Sequence, residues 1–218
     1  MSETPIAREG LKFIIPSLFL SLLSYILFLY PLSIAFFFFF LFCIFFFRNP
    51  RRFSKEPWSR LISPADGKVT EVKDMVEGEF IDFDATRVSI FMSLASVHVN
   101  RAPCDGLVTK VAHKRGRFAL AWKQEVDKVN ERNYILLEGE DKVLVVQIAG
   151  FLARRITCYV REGGRVKRGD PVGIIAFGSR VDVYIPKTYE CMVKLGQKVK
   201  AGVTPLAKKR GNHGAKEA

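Results

Sequence analysis

From Phe13 to Phe47 the chain carries no charged residue, and no other segment constrains its architecture as tightly. As a single helix rising about 1.5 Å per residue, the run would extend roughly 50 Å, well beyond a hydrocarbon core of roughly 30 Å. Tyr30-Pro31 lies near its middle. A residue before proline is pushed out of the helical region, so the run divides into two short helices, about 13–29 and 32–47, that form a hairpin in the membrane. One tilted or partly interfacial segment is the alternative, because each half is near the lower length limit for a span. Arg8 and Lys12 flank one end, and Arg48, Arg51 and Arg52 flank the other. The positive-inside rule then places residues 1–12 and everything after the hairpin on the cytoplasmic side of the cell membrane. A cleaved signal peptide fits poorly: the apolar run is too long, and no small-residue cleavage site precedes the arginines.

Beyond Arg48 the periodicity changes to short β-rich segments, at 87–92, 134–137, 143–148, 156–160, 172–176 and 181–185. Glycine-centred turns separate them, as at Asp105-Gly106, Glu138-Gly139 and Gly163-Gly164. Two internal echoes stand out. Pro64-Ala65-Asp66-Gly67-Lys68-Val69-Thr70 is matched by Pro103-Cys104-Asp105-Gly106-Leu107-Val108-Thr109, each an Asp-Gly turn entering a strand. The pattern G-x-x-V-x-x-G occurs at Gly163, Val166 and Gly169 and again at Gly196, Val199 and Gly202, in the manner of biotinyl/lipoyl-type barrel-sandwich turns. The expected fold is therefore mainly β, α+β at most: a β-sandwich or barrel-sandwich-like domain with internal hairpin repeats over 48–207, behind the membrane hairpin. Residues 208–218 are polar and basic with nothing to bury, so a disordered tail is expected there.

Composition narrows the partners. With 34 basic and 22 acidic residues the chain carries +12, which calls for a polyanion, either nucleic acid or an anionic membrane surface. No aromatic-basic RNP strand, helix-turn-helix or zinc pattern supports nucleic acid. The four cysteines, Cys43, Cys104, Cys158 and Cys191, show no C-x-x-C spacing, so neither a disulfide framework nor a metal site is indicated.

Three short blocks can carry chemistry: Ser63-Pro64-Ala65-Asp66-Gly67, Val97-His98-Val99-Asn100-Arg101-Ala102-Pro103, and Phe177-Gly178-Ser179-Arg180-Val181-Asp182. Singly, an Asp-Gly pair is usually a turn and a lone histidine usually a core residue. Together with Phe47-Arg48-Asn49-Pro50-Arg51-Arg52, Gln147-Ile148-Ala149-Gly150 and Ala153-Arg154-Arg155-Ile156, they run in register from about Phe47 to Leu206. In this combination the chain resembles the phosphatidylserine decarboxylase family, in its short membrane-anchored form.

The resemblance implies a proenzyme that cuts its own backbone between Gly178 and Ser179. Ser179 becomes a pyruvoyl group heading chain 179–218, which stays with chain 1–178. Glycine at 178 exposes its carbonyl and tolerates strained angles, while the Ser179 hydroxyl needs a base and an orienting carboxylate. By the resemblance these are His98 and Asp66. Longer members carry H-x-x-H at this block, whereas here Arg101 stands in the second position. Arg101 and His113 are candidate contacts to a lipid headgroup, with a solvated loop residue the plainer reading of His113. The substrate implied is an anionic serine phospholipid, phosphatidylserine or archaetidylserine, decarboxylated to its ethanolamine form; a homo-oligomer is compatible with this. Because the chemistry draws only on Asp66, His98, Gly178 and Ser179, a chain without residues 1–47 is expected to process itself. The rival reading is a non-catalytic, membrane-anchored biotinyl/lipoyl-like adaptor, although neither hairpin presents a lysine tip of the modified type.

Overall fold

The computed structural model describes residues 4–81, 83–116, 130–150, 155–176 and 178–210. Phe177, residues 151–154 and residues 211–218, which include parts of the motifs and tail named above, lie outside the described residues.

A short 3-10 turn, Arg8–Gly10, leads into helix α1 (Leu11–Ile26), and α2 (Tyr30–Phe46) returns beside it. The break comes slightly earlier than Pro31 suggests. Proline occupies the first turn of α2, where its missing N–H leaves no hydrogen bond unmade. The chain reverses at 27–29 instead, with Phe28 in the left-handed region at φ 61°. The buried stripe of α1 is Ile14, Ser17, Ser21 and Ser24, spaced to fall on one helix face. Ser21 Oγ donates to the Ser33 carbonyl at 3.0 Å, and Ser33 Oγ donates to the Ser21 carbonyl at 2.9 Å. Phe19, Ile26 and Phe38 point outward and are more than half exposed. Small polar residues inside and large apolar ones outside is the inverse of a water-soluble hairpin and suits packing within lipid. Among the described residues, Arg8–Ile26 is long and apolar enough to cross a membrane; α2 is shorter. Both ends of the hairpin emerge together, since Ala7 N donates to Phe47 O at 2.8 Å and Asn49 N to Pro5 O at 2.7 Å.

The remaining described residues form β1 (Arg60–Ile62), β2 (Gly67–Val76), β3 (Asp84–Met92), β4 (Val99–Arg101), β5 (Gly106–Lys114), β6 (Arg132–Glu138), β7 (Lys142–Ala149), β8 (Ile156–Cys158), β9 (Arg165–Val166), β10 (Pro171–Ile175), β11 (Ser179–Pro186), β12 (Tyr189–Cys191), β13 (Lys198–Val199) and β14 (Pro205–Lys209). One eight-stranded sheet runs β13-β2-β3-β11-β7-β6-β5-β9, flanked by three-stranded sheets β1-β14-β12 and β4-β10-β8. The mainly β fold expected from the sequence is the fold observed. Each of the six strand segments read from periodicity forms a strand, and the two Asp-Gly turns enter β2 and β5, while the short β1, β4, β9, β12, β13 and β14 lie outside the segments read. The polar tail is shorter than expected: strand β14 continues to Lys209, where Lys209 Nζ pairs with Asp141 at 3.0 Å.

The sequence echoes are a structural duplication. Sheet halves β13-β2-β3-β11 and β9-β5-β6-β7 have the same order, and β10 is central in its small sheet as β14 is in its own. β2 and β5 share an irregularity at the same place, between Val69 and Glu71 and between Val108 and Lys110. Val69 N bonds Gln197 O where Val108 N bonds Gly164 O. Asp66 accepts from Ala201 N at 2.7 Å, and Asp105 accepts from Arg168 N at 2.6 Å. The second copy, β4–β10, is inserted between β3 and β11 of the first.

The main core lies between the sheets and contains Val88, Ile90, Ile135, Val145, Val181 and Val183, all almost fully buried. Arg101 locks the copies to the segment leaving the apolar hairpin. Its guanidinium donates to Gly169 O at 2.7 Å, Asn49 Oδ1 at 2.8 Å and Pro50 O at 3.1 Å.

If the paired aspartates are turn caps, Asp105→Ala should lower stability by about 1 kcal/mol, the value of an exposed hydrogen bond. Asp66→Ala should lower it by about 3 kcal/mol, because Arg52 also loses its counterion. Thermal melts of both variants in detergent would check that order.

Candidate active site

Ser179 is the first residue of β11, opposite Met92 on one side and Ala149 on the other. By strand alternation it shares a face with Val181 and Val183, toward the main core. It is fully buried, and its Oγ has no hydrogen-bond partner. A buried hydroxyl without a partner is unfavourable by roughly 1–3 kcal/mol, which a purely structural serine would avoid. Gly178 stands immediately before it at φ 67°, in the left-handed region, with open space where a Cβ would be. On the opposite face of β11, Arg180 and Asp182 form a buried pair, Nε to Oδ1 at 2.7 Å and Nη2 to Oδ2 at 2.6 Å.

His98 lies just before β4 and is fully buried, with neither ring nitrogen in hydrogen-bond geometry. Its ring stacks on Phe46, the last residue of α2, with centroids 4.0 Å apart and planes at 29°. Burial is the main cause that pushes the imidazole down to about 4; the backbone of Ser96 and the charge of Asp66 oppose the shift, and the charge of Arg48 adds to it. The ring is therefore neutral near pH 7 and can accept a proton.

Asp66 is close by but is not bonded to His98. Its carboxylate takes both Arg52 guanidinium nitrogens, Nη2 to Oδ2 at 2.8 Å, and the backbone N–H of Ala201. A longer contact of 3.4 Å from Val97 N reaches the same carboxylate, so Asp66 braces the backbone beside His98. Phe46, from the apolar hairpin, stacks against the imidazole plane. Sequence reasoning gave Phe46 no role, because within a run of phenylalanines no pattern singles it out.

A buried amide ladder also escaped sequence reasoning. Asn133 Nδ2 donates to Gln147 Oε1 at 3.0 Å, Gln147 Nε2 to Asn100 Oδ1 at 2.8 Å, and Asn100 Nδ2 to Met92 Sδ at 3.4 Å. Since Met92 lies opposite Ser179, the ladder ties the His98 strand to the Ser179 strand. Asn100 and Gln147 sit inside two of the motif blocks, which was the available signal. Of the two candidate headgroup contacts, Arg101 is fully buried in the bonds given above, and His113 is part-exposed on β5, 3.3 Å from Glu131.

Residues 39–207 match the family model described as phosphatidylserine decarboxylase. This chain belongs to the phosphatidylserine decarboxylase family. It is 44% identical over 205 residues to a phosphatidylserine decarboxylase proenzyme of Syntrophus aciditrophicus, covering 92% of this chain and 96% of that one. It is 42% identical over 206 residues to that of Carboxydothermus hydrogenoformans, covering 94% and 96%. A similar protein of Pelagibacter ubique is 41% identical over 213 residues, covering 94% and 96%. Gly178, Ser179, His98 and Asp66 all fall within the span matched by the phosphatidylserine decarboxylase model.

The depressed value of His98 has a consequence for stability. The folded chain does not take the proton that the unfolded chain binds below about pH 6.5, so stability present above that pH is lost as the pH falls toward 4. In Phe46→Ala, water should reach the ring and its titration should rise toward 6.5. Ring resonances of histidine-labelled protein, followed from pH 8 to 4, would check both values; an unchanged midpoint in the variant would show that Phe46 does not set it.

Proposed function

We propose that this chain is a self-processing, pyruvoyl-dependent decarboxylase that converts the serine headgroup of an anionic membrane phospholipid to ethanolamine with release of CO2. The observation that carries the reading is Ser179: a buried, unpartnered hydroxyl directly after a left-handed glycine, within a chain of this family. The relatives are described as phosphatidylserine decarboxylase proenzymes, which fits a chain made whole and then cut.

Ser179 Oγ attacks the Gly178 carbonyl carbon as His98 accepts its proton, and the peptide nitrogen leaves to become the amine of an ester-linked serine. Loss of the Ser179 Cα proton then expels the Gly178 carboxylate by β-elimination. Hydrolysis of the resulting dehydroalanine releases ammonia and leaves a pyruvoyl ketone at residue 179. That group supplies a carbonyl for the headgroup amine and an electron sink for the pair left by departing CO2. The residues present fit it: its precursor hydroxyl is preplaced, and the backbone before it is open. His98 is neutral and held flat by Phe46, ready to take or return a proton.

Strand geometry explains how the cut enzyme stays whole. Chain 179–218 keeps β11 between β3 and β7, and β14 between β1 and β12. The hairpin supports placement in the membrane with the domain on the cytoplasmic side, where its basic flanks would lie. The substrate would be phosphatidylserine, or archaetidylserine in a membrane of ether lipids. The expectation that residues 48–218 process themselves is revised, because removing residues 1–47 takes Phe46 and Phe47 out of the wall beside His98.

Mass spectrometry of protein extracted from membranes should find chains 1–178 and 179–218, the smaller lighter by one ammonia than simple hydrolysis gives and reducible by borohydride. Ser179→Ala should remain one inactive chain, and Ser179→Cys should cut slowly. An intact wild-type chain that decarboxylates lipid would refute the pyruvoyl mechanism; an intact inactive chain would favour the adaptor reading. His98→Ala should slow self-cleavage at least 100-fold, the scale of a lost general base, and His113→Ala less than threefold, in time courses of processing.

A further inference from the structure

We propose that a basic cleft at the foot of the membrane hairpin binds the phosphodiester of the substrate lipid. This rests on the lipid-decarboxylase reading above and adds a site to it. The cleft, about 550 Å³, opens between the start of the hairpin and strand β8, and Arg8, Lys12, Arg155, Thr157 and Cys158 line it.

Three of the other basic groups near the hairpin's foot are engaged by the protein itself. Arg48 donates to Phe45 O at 2.6 Å and Ala95 O at 2.7 Å, Arg52 is taken by Asp66, and Arg101 is buried in carbonyl and amide bonds. Those arginines face protein, and Arg51 is exposed outside the cleft. Among the described residues, no carboxylate forms an ion pair with Arg8, Lys12 or Arg155. Glu9, the one acid in the cleft, accepts the Tyr159 hydroxyl at 2.7 Å, a bond that fastens the hairpin to the domain. Three cations and one acid therefore line one concave site, which leaves it net positive.

Depth and reach point to the same ligand. Helix α1 begins at Leu11 and turns its large apolar residues outward, so Arg8 and Lys12 lie at headgroup level if the hairpin is in lipid. The cleft floor, β8, pairs with β10, and β10 pairs with β4 at Ile174 and Val99, next to His98. Two strand spacings, about 10 Å, thus separate the floor from the His98 strand. A phosphate held by Arg155 would lie within that distance of the His98 strand.

The test must separate a built site from general attraction to an anionic surface. Full-length protein in nonionic detergent, given monomeric dihexanoyl-phosphatidylserine, presents no charged surface. Arg155→Gln and the double variant Arg8→Gln/Lys12→Gln should raise KM by about fivefold per charge removed, with Arg155→Lys recovering most of the loss. Arg165→Gln, outside the cleft, should match wild type. A second arm needs no turnover: calorimetric binding of dihexanoyl-phosphatidic acid to the Ser179→Ala chain should weaken by the same factor in Arg155→Gln, and neutral dihexanoylglycerol should show no such dependence. Unchanged KM and unchanged phosphatidic acid binding in Arg155→Gln would overturn the proposal, as would an equal loss in Arg165→Gln or a fall in kcat alone. If the wild type turns over no serine lipid, the functional reading fails, and the phosphatidic acid arm still decides the cleft.

Discussion

Strand β11 is paired along its length with β3 on one side and β7 on the other, and every residue from Ser179 to Pro186 is buried. Removing it would open the centre of the large sheet, while a cut immediately before it leaves every strand in place. A protein that breaks its own backbone must do so where no ladder is lost, and the start of a doubly paired strand meets that condition. The ladder also presses the Ser179 side chain into a site with no hydrogen-bond partner. Under the proposed self-cleavage, the same constraint would raise the energy of the hydroxyl before reaction and retain both products after it.

The duplication explains why a chain crossing exists at that point. In the inserted copy, β6 and β7 are joined by a tight turn near Gly139. In the outer copy the equivalent strands, β3 and β11, are separated by the whole of the inserted copy. The return from β10 to β11 is thus a connection without a hairpin partner, and Gly178 lies on it. The comparison also separates two duties of Asp66. Like Asp105, it caps a glycine turn, and Arg52 from the segment after the hairpin adds a counterion that Asp105 has no equivalent of. Its position beside His98 is thus a turn position first, adapted by one arginine.

The apolar hairpin also lines the candidate site. Phe46 and Phe47 join Val97, Val99 and Ile174 in one buried cluster, so the foot of the hairpin and the His98 strand share a core. Burial lowers the imidazole's pKa, and Phe46 stacks on the buried ring. The Phe46→Ala titration therefore tests whether seating of the hairpin and the protonation state of His98 are coupled.

Much of this was legible in the sequence, because some signals are local. An uncharged run longer than a bilayer demands helices, alternation from 134 to 148 demands strands, and Gly178-Ser179 among five other blocks in register points to one family. Duplication was legible too, since each copy repeats an Asp-Gly turn and a glycine pair. What the tertiary structure alone decided were the relations between distant residues. The sequence pattern that paired Asp66 with His98 could not show that Arg52 and Ala201 already occupy the carboxylate, or that Arg101 turns inward to Asn49. Nor could it choose Phe46 from its neighbours, because a phenylalanine's helical preference is the same whether it faces lipid or a histidine. Local chemistry is written residue by residue along the chain, whereas which groups neutralise, stack on or leave unpartnered one another depends on how the two copies and the hairpin close around a shared core.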